Sequence, residues 1–125
     1  MEIYSLQADL LKVISHPTRL AVLEILRGGE QCVCHMEAML GLRQARISQQ
    51  LMILREAGLV EVRRDGLNMY YHVVKPRIFD VLDAVYAATE KRRPRLVHKH
   101  AKDSCPCPKC NAVQHVSVSQ VTVQE

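Results

Sequence analysis

Five cysteines suggest chemistry in this sequence, and they fall into two groups. Cys32 and Cys34 stand one residue apart in EQCVCHME, and Cys105, Cys107 and Cys110 lie together in CPCPKC. On a regular helix, the i, i+2 spacing of the first two directs their thiols to nearly opposite faces. They are therefore either unrelated core residues or ligands that hold the chain out of helical geometry.

The redox state expected for these thiols follows from the N-terminal sequence. MEIYSLQADLLKVI has no basic segment followed by an apolar block, and no apolar run in the chain could span a bilayer. We therefore expect a cytoplasmic protein without membrane contact, in which reduced thiols bind metal more readily than they form disulfides. Cys107 and Cys110 have the spacing of half a tetrahedral zinc site, and soft thiolates favour Zn(II), Cd(II) and similar ions.

Other roles for the cysteines stay open at this point. Cysteine is often buried, so Cys32 or Cys34 could simply pack in the core, and the three later thiols could bind nothing. The two groups could form one site or two, within or across subunits, because residues 95–104 span at most about 33 Å when extended. His35 is the first candidate for a nitrogen ligand, although a histidine on a helix is more often simply exposed to solvent.

The composition is that of one ordinary domain with a mildly basic balance. The chain has 125 residues, 48% of them hydrophobic and 24% charged, with a formal net charge of +4. This charge is compatible with a nucleic-acid partner but does not require one. The sequence has no paired carboxylates, no nucleophile beside a base and no glycine-rich phosphate loop. We therefore predict neither an enzyme nor an organic cofactor or small organic substrate.

Four helices are predicted in the first half of the chain, from apolar spacing and from proline and glycine at their ends. They run over residues 3–13, from Pro17 to Gly28–Gly29, from Cys34 to Leu40, and from near Arg43 to Ala57. Ser15 or His16 caps the second of them. The third and fourth are joined by a tight turn at Gly41, which is typical of a helix-turn-helix.

The apolar pattern then changes from helical to strand-like. LVEVRRDGLNMYYHVV has two strand-like runs separated by Asp65–Gly66, a strong hairpin signal. Pro76 opens a fifth helix, which should fade near Arg92 because Pro94 disfavours helix at the preceding residue. The predicted fold is mainly α, a winged helix-turn-helix of about five helices and a two-stranded wing. Residues 1–92 would form this domain, and residues 93–125 a basic, cysteine-containing tail.

The fourth predicted helix has a polar face that suits DNA. Ile47, Leu51 and Leu54 mark its core side, so Arg46 and Gln49 point away from the core. Such side chains read base edges or bind phosphate, and an arginine-bearing hairpin follows as a wing. The predicted DNA-binding residues are Gln44, Arg46, Ser48, Gln49, Arg63, Arg64 and Asn68. The alternatives are an ordinary solvated helix face and charges that keep an exposed hairpin soluble.

Three segments resemble the ArsR/SmtB family of metal-responsive winged-helix repressors. They are HPTRLAVLEIL, ISQQLMILREAGLV and RRDGLNMYYHV, in family order within residues 8–90. The resemblance implies a homodimer, paired through its first and last helices, that binds near-palindromic double-stranded operator DNA and releases it when an inducer binds. It also implies that two apolar stripes form dimer surface: Ile3, Leu6 and Leu10, and Phe79, Leu82 and Tyr86. The alternative for both stripes is intramolecular core.

The CVC segment resembles the thiol site of the arsenic, cadmium and lead sensors of that family. The chain departs from the arsenic pattern at Glu37, where a further cysteine is usual, and from the other two in having no cysteine before Cys32. Its last predicted helix has Asp80 and Asp83 but no histidine, so a zinc site there is not expected. The implied inducer is As(III), Cd(II), Pb(II) or Zn(II), bound by Cys32, Cys34, Cys105, Cys107 and Cys110. The alternative is a thiol-redox or persulfide sensor of the same fold.

Overall fold

The computed structural model describes residues 1–94, which form five helices and a small antiparallel sheet. In chain order the elements are α1 (Glu2–Ile14), α2 (Pro17–Leu26), β1 (Gln31–Cys32), α3 (Val33–Leu40), α4 (Gln44–Glu56), β2 (Val60–Asp65), β3 (Asn68–Val73) and α5 (Ile78–Thr89). The predicted winged helix-turn-helix is confirmed, with α3 and α4 as the helix pair and the β2–β3 hairpin as the wing. The tail cysteines Cys105, Cys107 and Cys110 lie outside the described residues.

Local signals in the sequence explain where the helices begin and end. His16 rather than Ser15 caps α2: its Nδ1 accepts a hydrogen bond from the Thr18 backbone N–H at 3.1 Å. Pro17 follows at the first helical position, where its missing N–H costs nothing. Gly41 ends α3 in the left-handed conformation, at φ 68°, and so makes the tight turn into α4.

The sheet has one strand more than the sequence predicts. Its strand order is β1-β3-β2, so the wing hairpin gains the short strand β1 against β3. Within the wing, Asp65 pairs with Asn68, and Gly66 at φ 62° supplies the positive φ that the tight turn between them requires. The extra strand matters because it attaches the segment that contains Cys32 to the wing.

The core lies between α2, α3, α4 and the base of the sheet. Ile47, Leu51 and Leu54 are fully buried, which confirms the predicted inner face of α4. They pack in one cluster with the buried apolar residues of the neighbouring elements, among them Val22, Leu23, Met36, Leu59, Val60 and Leu82. This packing fixes the rotation of α4, and therefore fixes which of its residues face solvent.

The terminal helices differ from expectation in two respects. Leu82, expected at a dimer surface, is buried in the core of the chain itself, because α5 packs its Ile78–Leu82 side inward. α5 also ends at Thr89 rather than near Arg92, because Glu90 takes a left-handed conformation and its N–H returns to the Ala87 carbonyl. Within residues 1–94, every helix is too short or too polar to span a bilayer.

Candidate nucleic-acid interface and thiol pair

Cys32 and Cys34, the thiol pair, are in contact. Their Sγ atoms lie 2.8 Å apart, although the spacing rule for a helix predicts opposite faces. The rule does not apply because Cys32 is not in the helix. It ends β1 and caps α3 with extended backbone, at φ −88° and ψ 163°, while Cys34 lies in the first turn. A bound ion is therefore not needed to draw this segment out of helical form.

The thiol pair lies at the N-terminus of α3, beside a backbone hydrogen-bond donor. The His35 backbone N–H donates a hydrogen bond to Cys32 Sγ at 3.4 Å, in the manner of an N-cap. The N-terminus of a helix also stabilises anions. Cys32 is 3% exposed and packs against the buried Tyr70, whereas Cys34 is only half-buried and so can be reached from solvent.

His35 itself lies inside the protein, contrary to the expectation that it decorates the surface. His35 is 7% exposed. It lies four residues before the buried Met39, and this spacing places both side chains on the same, inner face of α3. Among residues 1–94, no cluster of three or more His, Cys, Asp or Glu side chains is placed to hold a metal ion. The described part of the chain therefore offers a pair of thiolate donors, which suits a soft ion but does not fill a tetrahedral site.

The polar face of α4 is presented to solvent. Arg46 and Gln49 are exposed on the side of the helix away from its buried stripe. Gln44 is exposed at the first position of α4, and Ser48 is half-buried at its flank. Gln50, which the sequence did not single out, is held by Arg19 of α2, whose Nη1 donates to Gln50 Oε1 at 2.9 Å. Arg19 Nε also donates to the Val13 carbonyl, so this arginine ties α1, α2 and α4 together.

The two arginines of the wing differ in their side-chain contacts. Arg63 donates two hydrogen bonds to Glu30, from Nε to Oε2 at 2.9 Å and from Nη2 to Oε1 at 2.8 Å. Its guanidinium also lies 4.9 Å from the centre of the Tyr70 ring. The hydrogen bond to Glu30 is the main cause that raises the pKa of Arg63. Arg64 is exposed, and Asn68 is half-buried at the turn.

A second arginine joins α2 to α5. Arg27 donates to the buried carboxylate of Glu24 at 2.6 Å, contacts Asp83 at 2.9 Å, and lies over the ring of Phe79. The hydrogen bond to Glu24 is the largest cause that raises the pKa of Arg27. This network compensates the one buried carboxylate of the described core and holds α5 in place.

These features match known proteins. The model for the family described as bacterial regulatory protein, arsR family, matches residues 16–62, from the cap of α2 into β2. A biofilm growth-associated repressor from Agrobacterium fabrum is 41% identical over 80 residues, which are 64% of this chain and 68% of that protein. The arsenical resistance operon repressor of Escherichia coli is 29% identical over 107 residues, which are 82% of this chain and 91% of that protein.

A solved structure has the same architecture. It is the homodimeric winged helix-turn-helix DNA-binding domain of Mycobacterium bovis, with a TM-score of 0.62 and 26% sequence identity. The match covers 74% of this chain and 91% of that domain.

Proposed function

The chain belongs to the arsR family of bacterial regulatory proteins, and we propose that it is a homodimeric repressor controlled by its thiol pair. It binds double-stranded operator DNA and releases that DNA when a thiophilic metal or metalloid binds Cys32 and Cys34. The observation that carries this proposal is the 2.8 Å contact between two thiols at the N-terminus of α3, the first helix of the DNA-binding unit.

The DNA-binding surface in this proposal consists of α4 and the wing. Gln49 and Arg46 are the base-reading side chains, because glutamine pairs with adenine and arginine with guanine in the major groove. Gln44 and Ser48 lie at the N-terminal end of α4, the part of a recognition helix that usually reaches the bases. Arg64 and Asn68 of the wing contact the backbone or the adjacent minor groove.

The dimer in this proposal uses α1 and α5. Ile3 and Leu6 of α1 are 61% and 65% exposed, and Val85 of α5 is 44% exposed, so both helices present apolar surface to solvent. A groove of 520 Å³ between these helices is lined mainly by apolar side chains, including Leu10, Leu59 and Val81. Exposed apolar surface of this extent favours association, and a relative of the same architecture is homodimeric.

The inducer in this proposal is As(III), Cd(II), Pb(II) or Zn(II). These ions prefer thiolate ligands, and one relative is a repressor of an arsenical resistance operon. When bound, the ion would join the two thiolates through metal–sulfur bonds. Cys105, Cys107 and Cys110 are the candidates for the remaining ligands, from the same subunit or from its partner.

Coupling between the two sites follows from their position in the chain. The thiol pair straddles the start of α3, and α3 packs directly on α4, so a change in the first turn of α3 biases the orientation of the recognition helix. Allosteric couplings of this kind are worth about 1–3 kcal/mol, or roughly 5–150-fold in affinity.

The test is a DNA-binding titration of the reduced full-length protein. A duplex selected from a random-sequence pool is labelled, and its dissociation is followed by fluorescence anisotropy as As(III), Cd(II), Pb(II) or Zn(II) is added. The proposal expects release by at least one ion and recovery on adding a chelator or competing dithiol. Tight DNA binding that none of the four ions changes would contradict it.

Truncation after Lys102 tests the role of the tail. If its three cysteines complete the site of the thiol pair, truncation and Cys34→Ser each remove the response, and combining them adds little, because groups that act as one unit are not additive. A truncated protein with unchanged ion affinity and unchanged release excludes the joint site.

A thiol-redox sensor is the second candidate, and the half-buried Cys34 favours it. Two thiols in contact can form a disulfide when a peroxide or persulfide removes two electrons and two protons. That candidate predicts release by oxidant, insensitivity to metal chelators and recovery on adding dithiothreitol. The metal titration of the reduced protein separates the two candidates.

A further inference from the structure

Three residues form one row across the sheet, from the thiol pair to the wing. Cys32 of β1 stands directly opposite Tyr70 of β3, and Tyr70 stands directly opposite Arg63 of β2. Residues that are directly opposite in neighbouring strands project from the same face of a sheet. A thiol, an aromatic ring and a guanidinium are therefore adjacent on one face.

Contacts along this row are continuous. Cys32 and Tyr70 are each 3% exposed and pack in one cluster with Cys34 beside them. The Arg63 guanidinium lies 4.9 Å from the centre of the Tyr70 ring. An arginine over an aromatic ring is attracted by the negative face of that ring. Tyr70 therefore both packs against the Arg63 guanidinium and attracts it electrostatically.

Glu30 connects the two ends of the row, Cys32 and Arg63. It stands two residues before Cys32, immediately ahead of β1, and its contact with Arg63 places it on the face of the row. Its carboxylate receives the two hydrogen bonds from Arg63, at 2.8 and 2.9 Å, and lies 4.0 Å from Nδ1 of His72. The bidentate ion pair thus joins the segment that contains the thiols to the wing, across 33 residues of sequence.

We propose that Glu30 and Arg63 are positioning residues that transmit the state of the thiol pair to the wing. The inference rests on the proposed function and names the route of its regulation. Tyr70 is buried between the thiols and Arg63, and close-packed interiors pass displacements on rather than absorbing them. Rearrangement of Cys32 and Cys34 around an ion would displace the Tyr70 ring and the segment that contains Glu30, and both movements would act on Arg63.

This role differs from a phosphate contact by Arg63, and two substitutions separate the roles. Arg63→Lys keeps the positive charge but loses the planar fork that binds Glu30 and stacks on Tyr70. Glu30→Gln keeps the arginine and removes only the charge that holds it. A phosphate contact survives Arg63→Lys and is strengthened or unchanged by Glu30→Gln, whereas the coupling is lost in both variants.

The experiment measures Cd(II) binding and DNA binding separately. Cd(II) affinity is read from the ultraviolet absorbance of the cadmium–thiolate bond, and DNA affinity from anisotropy with and without saturating Cd(II). Asp83→Asn is the matched control, because it removes a carboxylate that pairs with an arginine away from the thiol pair. Thermal unfolding midpoints show that each variant is folded.

Wild type and Asp83→Asn should lose DNA affinity on Cd(II) binding by a factor within the roughly 5–150-fold range of such couplings. In Glu30→Gln and Arg63→Lys, saturating Cd(II) should change DNA affinity by no more than about threefold. Their Cd(II) affinity and their DNA affinity without cadmium should stay close to the wild-type values. The double variant should be no worse than either single variant, because the two residues act as one unit.

Two negative results have different meanings. A wild-type protein whose DNA affinity ignores Cd(II) and the other three ions contradicts the proposed function, and the inference falls with it. A wild-type protein that responds while Glu30→Gln and Arg63→Lys respond equally well overturns the inference alone, and leaves coupling to run from α3 to α4. If Glu30→Gln is unfolded, Arg63→Lys decides the question by itself.

Discussion

The recognition helix and the wing carry similar side chains, yet the fold prepares them for different tasks. On α4, Arg46 and Gln49 are exposed, and within residues 1–94 neither takes part in an ion pair or a side-chain hydrogen bond. On the wing, Arg63 is already bound to Glu30 and stacked on Tyr70, while its neighbour Arg64 is exposed.

The difference shows that residue type and exposure do not suffice to assign a DNA contact. Arg63 and Arg64 are consecutive on a strand, so they project from opposite faces of the wing. The face of Arg63 carries Glu30 and Tyr70, and both contact its guanidinium. Within residues 1–94, Arg46 and Gln49 on the exposed face of α4 have no such partners, so their side chains are available to a ligand.

Removing part of the buried stripe of α4 should have the largest effect on the molecule. Leu51 is fully buried, so Leu51→Ala should lower the free energy of unfolding by about 2–5 kcal/mol, from lost burial and the cavity left behind. Urea unfolding followed by circular dichroism measures this loss. Met52→Ala is the matched control, since Met52 is 59% exposed and its truncation should change stability little. Equal losses in both variants would mean that the rotation of α4 is assigned wrongly.

The reading face of α4 should come next in size. Gln49→Ala should cost about 1–3 kcal/mol of discrimination at one base pair, because one side chain that reads a base edge is lost. Arg46→Ala should act similarly at another base pair, and unfolding should be unchanged for both exposed positions. Binding of each variant to the selected duplex and to its single-base substitutions measures the effect. If both variants bind all these duplexes as wild type does, α4 does not read the sequence.

The two wing arginines should give the smallest effect and the sharpest contrast. Arg64→Ala should reduce the slope of log affinity against log salt by about one unit, because one phosphate contact and its released counterion are lost. Arg63→Ala should change that slope less, because Glu30 already compensates its charge. Affinities measured for the same duplex between low and moderate salt provide both slopes. A larger slope change for Arg63→Ala would show that Arg63 leaves Glu30 and binds phosphate.

Much of the fold was predictable because its signals are local and periodic. The stripe Ile47–Leu51–Leu54 repeats at helical spacing, and the Asp65–Gly66 turn sits between two strand-like runs. Both predictions are confirmed by the burial of α4 and by the pairing of β2 with β3.

The features that were not predictable depend on distant partners. A strand of two residues has no measurable period, so β1 left no signal, and without β1 the capping position of Cys32 could not be recognised. The burial of His35 follows from the face of α3 that meets the core, which a single short helix does not specify. The partner of Arg63 lies 33 residues away, and nothing near the wing in sequence points to Glu30.

The role of the thiol pair is tested most directly by one comparison of two proteins. Wild type and Cys34→Ser, both reduced, are titrated on labelled duplex with whichever of As(III), Cd(II), Pb(II) and Zn(II) acts most strongly on wild type. Both proteins should bind DNA equally without the ion, because Cys34 is half-buried at the start of α3 and lies outside the buried stripe of α4. The ion should release DNA from wild type and leave Cys34→Ser bound, since one thiolate of the pair is gone. Release from Cys34→Ser at the wild-type ion concentration would contradict the account and place the sensor elsewhere in the chain.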